Sequence, residues 1–275
     1  MKVAIILCTY NPPIKFLKEQ LESIANQSYT NWECFINDDC SSDEFKDQIK
    51  NLAADDPRFK INFWETNNGT VYNFERGLNL VTPDFDYVAL CDQDDIWHSN
   101  KLETMVNLLE QSGLMLAHSD LRVIDEIGSV ISESCWKLEK RNLYSFNPWQ
   151  LIVRNSVTGC ATLFKRRLLD RALPFPRQKA KRPTFYHDHW LSICAESSIL
   201  PIKNALIDYR QHSGNQVGAQ RRTIWARFKQ FRYILYRIKE RIFLINNYLD
   251  YRYREKERLK ILAEKTKTLA QKNIP

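Results

Sequence analysis

The chain has 275 residues, 44% hydrophobic and 27% charged, which suits a packed globular core and excludes a disordered polypeptide. Its net charge of +7 is unevenly placed: residues 221–275 hold 16 Lys/Arg against 5 Asp/Glu (+11), leaving 24 against 28 (−4) for residues 1–220. Seven scattered cysteines without a C-x-x-C pair argue against zinc or thiol-exchange chemistry and point to a reducing cytoplasm.

Residues 3–8 form an unbroken β-rich apolar run, followed by Thr9-Tyr10-Asn11-Pro12-Pro13 where a signal peptide would carry a small-residue cleavage site. They read as a buried parallel strand, as do 32–36 and 87–91. Apolar residues at 14, 17, 21 and 24 after the two prolines predict a helix. Further helices are expected over 43–52 and 72–80, with a strand over 60–64. Strand and helix alternate, so the first hundred residues predict a doubly wound α/β unit with right-handed crossovers. A helix over 101–112 follows, then strands over 114–118 and 129–131 around an Asp125-Glu-Ile-Gly128 turn. A strand over 157–164, a helix over 190–195 and a strand-like segment before Tyr209 complete the body. From about 223 to 269 the sequence is helix-compatible, with no Gly or Pro. No apolar run reaches the ~20 residues that span a bilayer.

Ligands of such sheets bind beyond the carboxyl ends of the strands, and the unusual residues lie there. Thr9-Tyr10-Asn11 follows the first strand, Asn37-Asp38-Asp39-Cys40-Ser41-Ser42-Asp43 the second, and Asp92-Gln93-Asp94-Asp95 the strand at 87–91. Three carboxylates in four residues repel one another unless a cation neutralises them, and Mg²⁺ or Mn²⁺ is the natural oxygen-bound partner. The alternative is a solvated turn in which Asp95 caps the next helix. Neither G-x-x-x-x-G-K nor G-x-G-x-x-G occurs, which counts against a P-loop NTPase and a dinucleotide dehydrogenase.

Cys8-Thr-Tyr-Asn-Pro12, Asn37-Asp-Asp-Cys-Ser-Ser-Asp43, Asn68-Gly69 with Asn73, Asp92-Gln-Asp-Asp-Ile-Trp97, Asn155 with Gly159, His187-Asp-His-Trp190 and Tyr209-Arg-Gln-His212 resemble, in order and spacing, the family 2 glycosyltransferases. The resemblance covers roughly residues 1–218 and looks most like bacterial rhamnosyltransferases of surface polysaccharide synthesis. It implies a GT-A (Rossmann-like) α/β fold, a mainly parallel sheet flanked by helices over 1–218, with a basic amphipathic helical extension over 219–275. It also implies an inverting transfer of a sugar, rhamnose from dTDP-rhamnose, onto a saccharide acceptor. A UDP-sugar donor (galactose or N-acetylglucosamine) is the alternative within the class, and a non-catalytic sugar-nucleotide or membrane-binding module the alternative outside it.

The resemblance distributes roles. Asp39 would accept the imide N–H of the donor's pyrimidine base, with Thr9, Tyr10 and Asn11 lining the pocket and Asn73 and Gln93 nearby. Asp92 would sit at the ribose and metal shell, Asp94 would ligate Mn²⁺ or Mg²⁺, and His212 would complete the metal site. Arg210 would offset charge on the departing diphosphate. Asp188 matches the catalytic base, although Asp before an apolar helix is also a preferred N-cap. Trp97, Gly159, His187, His189 and Trp190 would line the acceptor side, with core packing the commoner fate of tryptophan. One departure is Cys40, where the family often has glycine.

Arg221 to Lys260 intersperse Ile224, Trp225, Phe228, Phe231, Ile234, Leu235, Ile238, Ile242 and Ile245 with basic residues. Such a helix can lie in an anionic membrane surface, which would suit a lipid-linked acceptor and a peripheral place at the inner face of the cell membrane. Packing on the body or on a second copy of the chain, as a homo-oligomer, is the alternative. Nucleic acid is not an expected partner, given the acidic body.

Overall fold

The computed structural model describes residues 1–141, 146–178, 185–214, 241–257 and 260. The chain divides into two compact units, Met1–Lys229 and Gln230–Pro275. The expected boundary at 218/219 and the stretch 221–240 of the basic extension lie outside the described residues.

The first unit opens with β1 (Val3–Thr9), α1 (Ile14–Ala25), β2 (Trp32–Asp38), α2 (Asp43–Ala53), β3 (Phe59–Phe63), α3 (Gly69–Leu78) and β4 (Tyr87–Cys91). There follow β5 (Ile96–Trp97), α4 (Lys101–Ser112), β6 (Leu116–Ile124), β7 (Val130–Ser132), α5 (Cys135–Leu138) and α6 (Pro148–Val153). The last elements are β8 (Thr162–Lys165), α7 (Leu169–Ala172), α8 (His187–Cys194) and β9 (Ile199–Arg210). The strands form one mixed sheet in the order β3-β2-β1-β4-β8-β6-β9-β5, with β7 paired to β6. From the pairings, β1, β2, β3, β4, β6 and β9 run one way while β5, β7 and β8 oppose them.

The expected alternation holds through β4. Ile5 and Leu7 of β1 lie between β2 and β4 and are fully buried, as an unbroken apolar run requires. Leu17, Leu21 and Ile24 of α1 pack against this sheet. Gly77 lets α3 approach the sheet: a Cβ there would meet Ile6 Cγ2 at 2.5 Å and Asn37 Nδ2 at 2.6 Å. The Asp125–Gly128 turn forms as expected, with Asp125 Oδ1 accepting from the backbone N–H of Ile127 and Ser129 and Gly128 at φ +90°.

Three differences matter for the site. The segment expected as a strand over 157–164 is a 3₁₀ turn at Gly159–Ala161 before β8 begins. The helix expected over 190–195 begins at His187, so His187 and Asp188 stand in its first turn. The two-residue β5, which carries Trp97, pairs antiparallel with β9 and is too short to show an alternation pattern.

In the second unit a helix spans 241–257. Leu244, Tyr248 and Tyr251 are buried while Ile242, Leu249 and Tyr253 are exposed, a helical segregation of faces. No helix among the described residues is long and apolar enough to cross a membrane.

Candidate active site

The chain runs outward from β1 to β2 and β3, then returns to place β4 on the other side of β1. This reversal is the topological switch point, where a crevice opens beyond the strand carboxyl ends. Thr9 ends β1, Asp38 ends β2 and Asp92 follows β4, so the polar clusters converge there for a reason of topology.

Asp38 is structural. It is fully buried and accepts from Thr9 Oγ1 (2.9 Å), Ser41 N–H (2.8 Å) and Ser41 Oγ (2.5 Å), so the Thr9 hydroxyl, expected to line the base pocket, is spent on the loop. Asp39 faces the other way and accepts from the backbone N–H of Asn68 (2.9 Å) and Gly69 (2.7 Å), with Arg76 Nη1 at 3.3 Å. The turn that follows them needs a left-handed residue, and Cys40 supplies it at φ +67°. Cys40 thus holds a backbone conformation that favours glycine, and its thiol donates to the Glu65 carbonyl at 3.3 Å. Asn11 is also left-handed (φ +39°), donating its N–H to Ser41 Oγ and accepting from Ser42 N–H. The Tyr10 ring is exposed, and its N–H donates to Gln93 Oε1 at 2.9 Å, which ties the β1 loop to the acidic loop. Asn73 is buried and donates to the Asn37 carbonyl, bracing α3 against β2.

The acidic loop spans β4 and β5. Burial, together with the charges of Asp94 and Asp188, pushes the Asp92 carboxyl up to about 7. Asp95 is fully buried and pushed well above the ordinary carboxylate range by burial and by Asp94 and Asp92. Its Oδ1 accepts from Arg210 N–H at 3.1 Å, and α4 is N-capped by Asn100, so Asp95 does not serve as the helix cap. Asp94 Oδ2 lies 2.7 Å from His212 Nε2. Because Gly214 N–H donates to His212 Nδ1, the Nε2 side carries the proton shared with Asp94 in the neutral ring. A divalent cation would take that proton's place. The Asp92 carboxyl, raised by burial and by neighbouring charge, together with the Asp94 carboxylate and the His212 imidazole, forms a donor set that fits Mn²⁺ or Mg²⁺.

Arg210 departs from expectation. Its guanidinium is buried, donating to the carbonyls of Asp94 (3.0 Å) and Glu126 (3.1 Å), pairing with Glu19 and lying 4.4 Å from the Phe16 ring centroid. It holds the acidic loop in place and is not presented to a diphosphate. Trp97 and Trp190 are likewise core residues, each 2% exposed. Trp190 Nε1 donates to the Ala172 carbonyl, and neither ring is open for sugar stacking.

Asp188 stands on the second residue of α8 and is not its N-cap, a position held by Tyr186. Burial pushes its carboxyl up to about 6, against the lowering influence of His189 N–H, Arg141, Asn155 and Gly159 N–H. Its charge is felt at Asp92, so the candidate base and the acidic loop share one site. His187 and His189 are buried supports. His189 Nε2 lies 2.7 Å from the Leu151 carbonyl, linking α8 to α6, and the His187 ring stacks 3.7 Å from Phe74. Gly159 makes room for His187: a Cβ there would meet His187 Nε2 at 2.6 Å and Asp188 Cβ at 3.4 Å.

Four participants carry no sequence signal of their own. Cys160 offers a sulfur within 4.8 Å of Asp92 and Asp95 ligand atoms. Burial and the two carboxylates keep that thiol protonated, so it suits a hard cation poorly. Arg76 reaches Asp39, and Arg141 donates to the Ser156 carbonyl and Thr158 Oγ1 beside Asp188. Lys101 is buried at the start of α4, its ammonium 3.4 Å from the Trp97 ring centroid.

The family model "Glycosyl transferase family 2" matches residues 4–173. The chain is 28% identical over 207 residues to the Escherichia coli UDP-Glc:alpha-D-GlcNAc-diphosphoundecaprenol beta-1,3-glucosyltransferase WfgD, covering 74% of each chain. Its fold is similar to S. aureus TarS in complex with UDP-GlcNAc, with TM-score 0.60 and 20% identity, covering 78% of this chain and 60% of that one. A mannosyltransferase from Pyrobaculum calidifontis in complex with GDP-Man and Mn²⁺ is similar at TM-score 0.57 and 18% identity, over 79% of this chain and 58% of that one.

Proposed function

The chain belongs to glycosyltransferase family 2, and on that premise we propose that it transfers a sugar from a pyrimidine nucleoside diphosphate donor to a saccharide acceptor, with inversion, in bacterial surface polysaccharide synthesis. The observation that carries this reading is the closeness of Asp188 to the acidic loop, where its charge helps to raise the buried Asp92 carboxyl.

Asp39 receives the base through its carboxylate, which keeps lone pairs beyond those used by Asn68, Gly69 and Arg76. Tyr10, Asn11 and Gln93 shape the pocket's rim. Asp94, His212 and Asp92 would hold Mn²⁺ or Mg²⁺, which supplies charge neutralisation for the diphosphate. Asp188 removes the acceptor hydroxyl proton while that oxygen bonds to the anomeric carbon. The bond from that carbon to the diphosphate oxygen breaks in the same step, its electron pair leaving with the nucleotide. Burial raises the basicity of Asp188 and so favours proton abstraction.

WfgD is named for a UDP-sugar and TarS is complexed with one, which supports UDP as the donor nucleotide. The motif set Asp92-Gln-Asp-Asp-Ile-Trp97 with Tyr209-Arg-Gln-His212 supports dTDP-rhamnose as the second reading. WfgD is also named for a diphosphoundecaprenol acceptor, which supports a lipid-linked acceptor reached from the inner face of the membrane. The test is Asp188→Asn: sugar transfer to a lipid extract should fall at least about a thousandfold, while calorimetric donor affinity stays within about twofold. Equal loss of binding and transfer would remove Asp188 from the base role.

A further inference from the structure

β8 runs antiparallel to β4, with Tyr87 opposite Lys165, Val88 opposite Phe164 and Ala89 opposite Leu163. Continuing that register by three residues sets Cys160, in the 3₁₀ turn before β8, opposite Asp92. Asp95 completes a cluster there: one ligand atom from each of Asp92, Asp95 and Cys160 lies within 4.8 Å of the other two. Cys160 and Asp95 are fully buried while Asp92 is partly exposed, so the cluster has one open side. Asp95 Oδ1 is taken by Arg210 N–H at 3.1 Å, but Oδ2 is buried without a hydrogen-bond partner among the described residues. A buried carboxylate oxygen in that state is costly unless a ligand meets it.

We propose that Asp92, Asp95 and Cys160 form a second metal site, for a borderline or soft divalent cation such as Zn²⁺, which competes with the Mn²⁺ or Mg²⁺ site by sharing Asp92. The competition rests on the metal-assisted reading given above; the thiolate site does not. Two carboxylates and a sulfur are a donor set that Zn²⁺ accepts and that Mn²⁺ and Mg²⁺ disfavour. In a tetrahedral site with Zn–S of about 2.3 Å and Zn–O of about 2.1 Å, neighbouring ligand atoms stand about 3.5 Å apart. Atoms already within 4.8 Å reach that spacing by small side-chain rotations. The thiol proton passes to solvent as the sulfur–metal bond forms, and no electron is transferred. Water fills the fourth position, on the open side at Asp92. The Asp94–His212 pair, 2.7 Å apart, lies outside this ligand set. Two divalent cations drawn to one carboxylate repel each other, so a filled soft site weakens Mn²⁺ binding at that pair.

Co²⁺ titrated into the full chain is the probe, because a cobalt–thiolate bond gives a near-ultraviolet charge-transfer band that carboxylate and imidazole ligands do not. The parent should show that band, and added Zn²⁺ should bleach it. Cys160→Ser should lose the band, and Asp95→Asn should weaken Co²⁺ binding by about tenfold or more. His212→Ala should keep the band while losing the Mn²⁺ binding measured by electron paramagnetic resonance. Zn²⁺ should displace Mn²⁺ from the parent at a concentration at least about tenfold lower than from Cys160→Ser. Cys160→Ala takes the place of Cys160→Ser if the latter does not fold. No band in the parent, or a band that survives substitution of Cys160, would overturn the proposal. A band in a parent chain that binds no Mn²⁺ would uphold the thiolate site and overturn the metal-assisted reading, competition included.

Discussion

Asp188 and Asp92 are two carboxyls raised by the same burial, to about 6 and about 7. A base must be ionised, so transfer should rise as pH increases through about 6. Metal affinity should rise separately as Asp92 ionises through about 7. A pH profile of transfer at saturating Mn²⁺ isolates the first limb, and Mn²⁺ titrations against pH isolate the second. A flat profile between 5 and 8 would contradict both. The sign for stability is opposite to that for activity: an acid whose folded pKa is raised costs stability once ionised. Asp188→Asn should therefore melt no lower than the parent at pH 8 while losing transfer.

At this scale the sequence is informative about acids and silent about their supports. Asp39, Asp92, Asp94 and Asp188 are legible because carboxylates at strand ends demand a chemical explanation and fall in the order of a family pattern. Cys160, Lys101 and Arg141 act through burial and contacts across the fold, which no local spacing reports. Arg210 shows the converse: an arginine in a motif reads as a ligand to phosphate, yet its guanidinium is held by Glu19, Glu126 and the Asp94 carbonyl.

Among the elements, those that carry the site are held by side-chain ties as well as by the sheet. Asp208 on β9 accepts from Arg122 Nε (2.7 Å) and Nη2 (2.6 Å), and His98 Nε2 lies 2.8 Å from Oδ1. Burial alone would raise this carboxyl, but the His98 and Arg122 bonds prevail and hold it down at about 2. Its contribution is present above the unfolded carboxylate pKa near 4 and is lost as pH falls toward 2. Asp208→Ala should cost about 1–3 kcal/mol at pH 7, read by denaturant unfolding, and much less at pH 2.5. The α8 start is tuned more finely. Gly159→Ala would press a methyl group onto His187 and Asp188, so transfer should drop more than tenfold, since small displacements of a catalytic group are costly. Circular dichroism should remain that of the parent, and full activity in that variant would show that α8 tolerates displacement.

Long elements with strong periodicity, such as β1, α1, β4 and α4, are legible to within a residue or two. The short helices α5, α6 and α7 are not, because four to six residues carry too little periodicity to separate from loop. The 3₁₀ turn before β8 reads as strand because Val157 to Phe164 is apolar and β-branched; the close approach of His187 to Gly159 belongs to tertiary packing.

For the whole molecule, charge is divided between an acidic body and a basic extension. If the extension lies on a membrane, removing 221–275 should release the chain from anionic vesicles in co-sedimentation, and unchanged sedimentation would argue for a packing role instead. The body's fold was readable because buried parallel strands and amphipathic helices alternate through β4, and the switch point then follows from strand order. The donor's sugar was not readable, since it depends on the shape of a pocket built from several loops.

Asp39, the acidic loop and His212 would together make a metal-assisted site for a pyrimidine nucleoside diphosphate. It is tested most directly by thermal unfolding with UDP, dTDP and GDP, each with and without Mn²⁺, because a ligand that binds only the native state raises its melting temperature. UDP or dTDP should raise the melting temperature, more so with Mn²⁺, and by more than GDP does. The absence of any nucleotide-dependent rise, or a rise indifferent to Mn²⁺ and to the base, would contradict it.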